Sequence, residues 1–262
     1  MPLTHVKNEY TIPRGRAYFD PYDDNEELTG EIPFGNTPNT TLSISRESAD
    51  HYSSETAASE LDFTYEGRVE RTGALDCDNM SMQNYAWWLS GTKQAITQAA
   101  TPVTGELRKV VPGRYYQLGA STANPLGVRN VSAVTVKDEA GTDTYDAGVD
   151  YNVDLETGRV QIIEGGGIVA GKVQFGYTPV AGTFMRVQTG AKGQVMGALR
   201  IVADAAAGKN RDVYMPKVVL TPNGDLPLVT DSNDLVRLQF SMKVLKPANS
   251  QAIYADGRPV AV

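Results

Sequence analysis

The sequence predicts a mainly β fold with one flanking α-helix and an inserted small all-β module. Runs in which polar and apolar residues alternate recur along the chain, which is typical of half-buried strands. The 25 glycines and 14 prolines divide these runs into short segments. Only one segment spaces its apolar residues as a helix does. With 262 residues, of which 41% are hydrophobic and 21% charged, the chain has the size and composition of a globular protein.

The first third contains segments with contrasting patterns. Short strands are predicted at 16–19 and 41–45. Residues 46–60 are small and polar, so they predict a long surface loop. Residues 61–75 alternate strictly and predict a strand with one buried face and one polar face. The buried face is expected to hold Leu61, Phe63, Tyr65 and Val69, and the polar face Asp62, Thr64, Glu66, Arg68 and Glu70.

A helix is predicted at 78–91. Asp78, Asn79 or Ser81 can cap its first turn, and Gly91 can end it in the left-handed conformation. Spacings of three and four residues place one set of apolar side chains on a single face, which we expect to pack on a sheet. This set is Met82, Tyr85, Trp88 and Leu89. The small polar residues of 92–104 predict a linker.

The composition changes after the linker. Residues 105–182 contain short strands with closely spaced turns and predict a small all-β module, with strands at 131–136, 152–155, 159–163 and 172–177. The final third returns to long alternating strands at 194–203, 213–220 and 234–245. The last of these places Val236, Leu238, Phe240, Met242 and Val244 on one face.

Neither the first nor the last third has the elements to close a core alone. We therefore predict one split domain with an insertion. The divisions are 1–102 for its first part, 103–182 for the inserted module and 183–262 for its second part.

The residues that carry most enzyme chemistry are scarce. Cys77 is the single cysteine and His5 and His51 are the only histidines, which excludes a disulfide framework and cysteine- or histidine-rich metal sites. Gly165-Gly166-Gly167 opens no helix and predicts a turn. His51 lies near Asp50, Ser53 and Ser54, which matches a Ser–His–Asp triad in composition only. We predict that the chain is not an enzyme and has no cofactor and no metal site.

Two acidic groups leave alternatives open. Asp62, Glu66 and Glu70 are compatible with a glycosidase pair or with a solvated acidic stripe. The aspartates of the module are compatible with cation ligands or with side chains that close Asx-turns, the commoner role. They are Asp138, Asp143, Asp146, Asp150 and Asp154.

Charge is distributed unevenly. Residues 1–100 hold 16 acidic and seven basic residues, whereas residues 183–262 hold six acidic and ten basic ones. This asymmetry suggests pairing between segments or between copies of the chain, and the alternative is a solvated surface. The sequence has no run of about 20 apolar residues and no signal-peptide pattern at its start, so we expect a soluble chain that folds in the cytosol.

The order of several short motifs resembles a known family. The motifs are Asn36-Thr37-Pro38 before a strand, Asp50-His51-Tyr52-Ser53-Ser54, Arg71-Thr72-Gly73, Cys77-Asp78-Asn79-Met80-Ser81 before the helix, Pro216-Lys217-Val218 and Pro222-Asn223-Gly224-Asp225. Over about 1–100 and 183–262 the chain resembles the major tail tube proteins of long-tailed bacteriophages, both siphophages and myophages. Residues 105–182 resemble the small Ig-like modules inserted in some of them.

This resemblance implies a tail-tube-type β-sandwich or barrel with one flanking helix. Six copies would form a ring, and stacked rings would form a helical tube through which phage DNA passes without specific binding. The partners implied are further copies of the chain and the tape measure, terminator and tail-tip proteins. The implied location is the phage tail of the virion, with synthesis in the cytoplasm of the bacterial host.

The resemblance also suggests roles for individual residues. The family's long loop reaches the adjacent ring, which makes the matching residues inter-ring candidates: Asp50, His51, Tyr52, Ser53, Ser54 and Glu55. We expect Asp62, Glu66 and Glu70 to face the lumen, where carboxylates would repel DNA phosphates, and the alternative is the outer wall.

Two other functions are compatible with the sequence. A tail-tip or adhesin-like protein would bind host-surface carbohydrate through Tyr115, Tyr116 and Tyr145. A hydrolase is the third hypothesis, although the sequence contains no catalytic motif that supports it.

Overall fold

The computed structural model describes residues 8–55, 57–190 and 193–259. It confirms a mainly β fold, with 53% of the chain in strands and 3% in helix. No helix in the described part of the chain is long and apolar enough to span a membrane. In chain order the elements are β1 (Gly15–Pro21), β2 (Ile32–Gly35), β3 (Asn39–Ser53), β4 (Glu60–Cys77), α1 (Met82–Trp88), β5 (Thr92–Gln98), β6 (Val103–Val110), β7 (Tyr115–Gln117), β8 (Val131–Asp138), β9 (Tyr151–Asp154), β10 (Arg159–Ile162), β11 (Gly171–Pro179), β12 (Gly182–Gln188), β13 (Val195–Ala203), β14 (Arg211–Asn223), β15 (Leu238–Val244) and β16 (Tyr254–Gly257).

The described residues divide into two compact units. The first contains the residues up to Gln94 and from Arg186 onward, and the second contains Ala95–Met185. The chain leaves the first unit along β5 and returns along β12, and these two strands pair with each other. The predicted linker at 92–104 is therefore wrong, because it contains β5 and the start of β6. The partner of β5 lies far away in sequence, so local composition does not reveal this pairing.

The first unit is built on one eight-stranded antiparallel sheet. Its strand order is β2-β1-β13-β14-β15-β4-β3, and β16 also pairs with β14. Four strands separate β2 from β4, yet the Cys77 thiol at the end of β4 lies 3.3 Å from the Phe34 carbonyl oxygen in β2. The sheet therefore curls around its core rather than remaining flat.

Alternation along the strands places large side chains in this core. Leu238, Phe240, Met242 and Val244 of β15 are buried, as predicted, although the strand begins at Leu238 rather than at 234. Phe19 and Phe34 are fully buried beside them. An aromatic cluster fills the centre, because the rings of Phe34 and Phe240 lie 5.8 Å apart and those of Phe34 and Trp87 lie 5.0 Å apart.

The helix α1 packs on β14 and β15, which confirms that it covers a sheet. Ser81 is its N-cap, since Ser81 Oγ accepts a hydrogen bond from the Asn84 backbone N–H at 3.2 Å. The helix ends in a Schellman-type pattern, in which the Gly91 N–H donates to the Ala86 carbonyl oxygen at 2.8 Å. The left-handed residue is Ser90, with φ of 48°, so the conformation predicted for Gly91 is wrong. Gly91 instead allows close approach, because a Cβ there would lie 2.2 Å from the Gln188 carbonyl oxygen.

The buried face of α1 differs from the predicted one. Asn84, Ala86 and Trp87 are the buried residues, whereas Met82 is 41% exposed. Tyr85 and Trp88 are half-buried against the core and Leu89 is half-buried, so only part of the predicted face packs. The Asn84 amide draws its side of the helix inward, because it donates to the carbonyl oxygens of Phe34 and Asn79, both at 2.8 Å. Spacing rules favour apolar residues and therefore missed this buried asparagine.

Gly197 marks a close approach between β13 and β1. A Cβ at Gly197 would lie 2.2 Å from the Asp20 carbonyl oxygen and 2.8 Å from Pro21 Cα. We expect Gly197→Ala to lower the free energy of unfolding by about 1–3 kcal/mol, since the two strands must separate. Chemical denaturation measures this loss. Gly257→Ala, on open strand β16, is the control, and an equal loss in both variants would contradict the expectation.

The second unit contains two three-stranded antiparallel sheets. Their strand orders are β7-β10-β9 and β6-β11-β8, and both contribute side chains to one core. Phe175 of β11 and Ile162 of β10 are among the buried residues that join them. The strands predicted at 131–136, 152–155, 159–163 and 172–177 are confirmed as β8, β9, β10 and β11.

Candidate assembly surface

A long antiparallel hairpin of β3 and β4 forms one end of the first unit's sheet. Residues 39–53 of β3 pair with residues 60–76 of β4. The surface loop predicted at 46–60 is therefore wrong for 46–53, which are strand. Their small polar side chains do not predict a strand on their own, and the extended form comes from pairing with the strongly alternating β4.

The distal part of this hairpin has little support from the rest of the unit. β15 pairs with β4 only over residues 72–77. Among the described residues, 44–53 of β3 and 60–71 of β4 therefore have only each other as strand partners. We call this two-stranded segment the ribbon, and its ten residues of β3 extend about 33 Å at about 3.3 Å per residue. A two-stranded ribbon alone is marginally stable in water.

The ribbon exposes large apolar side chains. The face predicted to be buried is wrong, since Leu61, Phe63, Tyr65 and Val69 are 53%, 61%, 62% and 36% exposed. No second layer covers this part of β4 within the described residues. Alternation correctly identified a strand, but burial also requires a partner surface. An exposed apolar patch of this kind is typical of a protein interaction site.

Two β-bulges also change which side chains share a face of the ribbon. The register shifts between Arg46 and Ser48 and between His51 and Tyr52, and each shift places one extra residue in β4. Glu66 lies opposite Ser48 and Glu70 lies opposite Ser45. Because positions 45 and 48 differ by an odd number, Glu66 and Glu70 lie on opposite faces. The single polar face predicted for β4 is therefore wrong.

The same register divides the apolar side chains between the two faces. Phe63 lies opposite His51 and Tyr65 lies opposite Ala49, so these two rings share one face, which we call the aromatic face. Leu61 lies opposite Tyr52 and Val69 opposite Arg46, which places them on the other face. Both faces of the ribbon therefore combine apolar and charged groups.

The three candidate lumen carboxylates each have a basic neighbour. Asp62 Oδ1 lies 2.5 Å from His51 Nδ1 and Glu70 Oε1 lies 2.6 Å from Arg68 Nη2, while Glu66 pairs with Arg46. All of these side chains are exposed to solvent, where ion pairs contribute little to stability. The two arginines reduce the local negative charge that the sequence suggested at Glu66 and Glu70, and the lumen-facing role of the three carboxylates stays a prediction.

The inter-ring candidates lie together at the distal end of the ribbon. Asp50, His51, Tyr52 and Ser53 end β3, and Ser54 and Glu55 follow it. Asp50 Oδ1 accepts a hydrogen bond from Thr64 Oγ1 at 3.0 Å, and Ser53 Oγ accepts one from the Glu55 N–H at 3.3 Å. His51 contacts Asp62 rather than a serine, so the structure does not bring a Ser–His–Asp triad together.

Three of the five aspartates considered as cation ligands, Asp138, Asp150 and Asp154, serve as turn residues. Asp138, Asp150 and Asp154 each accept backbone hydrogen bonds from residues close to them in the fold, such as Asp143 N–H to Asp138 Oδ1 at 2.9 Å. Backbone hydrogen bonds lower the pKa of the Asp138 and Asp150 carboxyl groups, and hydrogen bonds from the side chain and backbone of Thr157 lower the pKa of the Asp154 carboxyl group. No group of three or more His, Cys, Asp or Glu side chains among the described residues is placed to hold a metal ion.

The remaining candidate residues are Cys77 and the three tyrosines considered for carbohydrate binding. Cys77 is fully buried, and burial raises the pKa of its thiol. Tyr115 is exposed on β7, where the Arg159 guanidinium lies 5.1 Å from its ring centroid. Tyr116 and Tyr145 are half-buried against the core of the second unit. Only Tyr115 of the three tyrosines considered for carbohydrate is therefore exposed enough to stack on a ligand.

A family model described as "Protein of unknown function UCP028589" matches residues 10–253. No curated protein matches the chain.

Proposed function

The chain belongs to this family of proteins of unknown function, and we propose that it is a structural subunit of a phage tail tube. In this proposal, six copies form a ring and rings stack into a hollow tube in the virion, through which DNA leaves the capsid. The subunit is made in the cytoplasm of the bacterial host. The tape measure, terminator and tail-tip proteins are its proposed partners in the tail.

The observation that carries this proposal is the exposed ribbon. It combines apolar side chains on both faces with hydrogen-bonding edges that lack strand partners among the described residues. Burying these groups against other copies of the chain removes both the apolar exposure and the free backbone groups. The ribbon therefore favours self-association over a role as an isolated monomer.

Strand lengths support edge-to-edge pairing of ribbons. Within the described part of the chain, β4 has a free edge over residues 60–71, and β3 has its outer edge free at the end of the sheet. These edges are of similar length, so β3 of one copy can pair with β4 of the next in the antiparallel sense. Such a contact joins two different edges, and repetition around an axis closes a ring that leaves no free edge.

The hexameric ring and the DNA conduit come from the resemblance of residues 1–100 and 183–262 to tail tube proteins. Closure of ribbons into a barrel gives an inner face and an outer face. A barrel that several chains share is wide enough to leave a channel, because barrel diameter grows with strand number.

Electron microscopy tests the proposal directly. We expect the purified full-length chain, concentrated stepwise, to form rings or hollow tubes in negative stain. Light scattering should show the corresponding rise in mass. A chain that stays monomeric at every concentration would contradict the proposal, and a monomer that binds glycans on an array would favour the adhesin-like alternative.

A further inference from the structure

A basic groove lies in the first unit at the base of the hairpin. Its volume is about 480 Å³, and its walls come from residues 11–17, 37–40 and 201–213. Among the described residues that line it, four side chains are basic and none is acidic. The basic residues are Arg14, Arg16, Lys209 and Arg211.

Two of these basic side chains, Arg14 and Arg16, carry uncompensated charge. The other two, Lys209 and Arg211, both pair with Glu9, at 2.5 Å and 2.8 Å, and this contact lowers the pKa of the Glu9 carboxyl group. Arg14 and Arg16 form no ion pair with any described residue. The groove therefore retains two exposed guanidinium groups, whose planar donors suit carboxylate ligands.

The distal end of the ribbon has the opposite charge. Asp50, Glu55 and Glu60 lie within or beside its last strand pairs, and none of them forms an ion pair with a described residue. Asp62 is the fourth carboxylate there, and its Oδ1 lies 2.5 Å from His51 Nδ1. We call residues 50–55 and 57–62 the acidic tip.

The acidic tip cannot reach the groove of its own chain. Asn39 lies in the groove wall and begins β3, and Ser53 ends this strand at the tip. Fourteen steps of an extended strand span about 45 Å. Because β3 is continuous over this length, the tip and the groove of one molecule lie at opposite ends of the hairpin.

We propose that the basic groove of one copy receives the acidic tip of a second copy. This inference rests on the proposed function and names the surfaces that join successive copies. The contact uses two different patches, so it is heterologous and propagates from one ring to the next instead of closing a symmetric dimer. Charge complementarity of this kind fixes register and speeds association.

Charge reversal tests this contact. We expect Arg14→Glu with Arg16→Glu to raise the concentration at which assembly begins at least tenfold, measured by sedimentation at physiological salt. Glu55→Lys with Glu60→Lys should have the same effect. An equimolar mixture of the two double variants should assemble at near wild-type concentration, because each reversed groove then meets a reversed tip.

The control is Lys109→Glu with Arg114→Glu, which makes the same net charge change on exposed residues of the second unit. Thermal melting checks that every variant is folded. If the groove double variant and the tip double variant each assemble like the wild type, or if their mixture does not recover assembly, the groove-to-tip contact is wrong while the tube function stands. If the wild type forms no assembly, the proposed function itself fails and the groove contact fails with it. If the groove double variant loses binding to duplex DNA but assembles normally, the groove is a nucleic-acid site and the inference is overturned.

Discussion

Replacing Phe63 and Tyr65 with aspartate is expected to abolish assembly and to leave a folded monomer. Both side chains lie on the aromatic face and are more than half exposed in the single chain, so the core of the first unit does not depend on them. Two charges on this face would have to be desolvated in any interface that covers it. Light scattering and negative-stain microscopy of the double variant measure the loss of assembled material.

The matched control for this experiment is Leu155→Asp with Val169→Asp. Both residues are exposed apolar side chains of the second unit. This control should assemble, and both double variants should melt within a few degrees of the wild type, since surface substitutions change stability by about 0.5 kcal/mol or less. Tubes formed normally by the Phe63 and Tyr65 variant would show that the aromatic face is not an assembly surface.

The second large effect concerns the aromatic core. We expect Trp87→Ala to lower the free energy of unfolding by about 3–5 kcal/mol, because a buried aromatic side chain is replaced by a cavity. The ring of Trp87 lies 5.1 Å from that of Phe19 and 5.0 Å from that of Phe34, so the loss removes contacts from both. Urea denaturation followed by circular dichroism measures the change.

Met82→Ala in the same helix is the comparison for Trp87→Ala. Met82 belongs to the face that spacing predicted to be buried, but it is largely exposed. Met82→Ala should therefore lower the free energy of unfolding by less than about 1 kcal/mol. A loss at Met82 as large as that at Trp87 would mean that the helix packs through the face predicted from the sequence.

The sequence predicts a strand and its buried face correctly where the folded chain covers one side of that strand. The alternation of β15 correctly places Leu238, Phe240, Met242 and Val244 in the core, because this central strand is covered on one side. The same alternation in β4 correctly predicts extended structure and wrongly predicts burial. Periodicity shows which side chains can share a face, whereas burial depends on partners that a single strand does not specify.

The bulges explain why the prediction of a single polar face for β4 is wrong. An extra residue in β4 reverses the alternation, so Glu66 and Glu70 separate although they differ by four positions. Gly67 lies within the first irregular stretch, and a glycine inside a strand pattern is a known signal of a bulge. The basic groove left no such signal, since residues 11–17, 37–40 and 201–213 come together only in the folded chain.

The ribbon gives the free subunit a segment whose order depends on its neighbours. Two strands without a covering layer open at low free-energy cost, so their amide hydrogens exchange with solvent far faster than those of the core. Joining a partner must first restrict this segment, and fixing each residue costs about 1–2 kcal/mol of conformational entropy. In the proposed tube, a copy that meets an already ordered ring has a template, whereas two free copies have none. We therefore expect initiation of the proposed assembly to be slow relative to growth, which would restrain polymerisation until a starting ring exists.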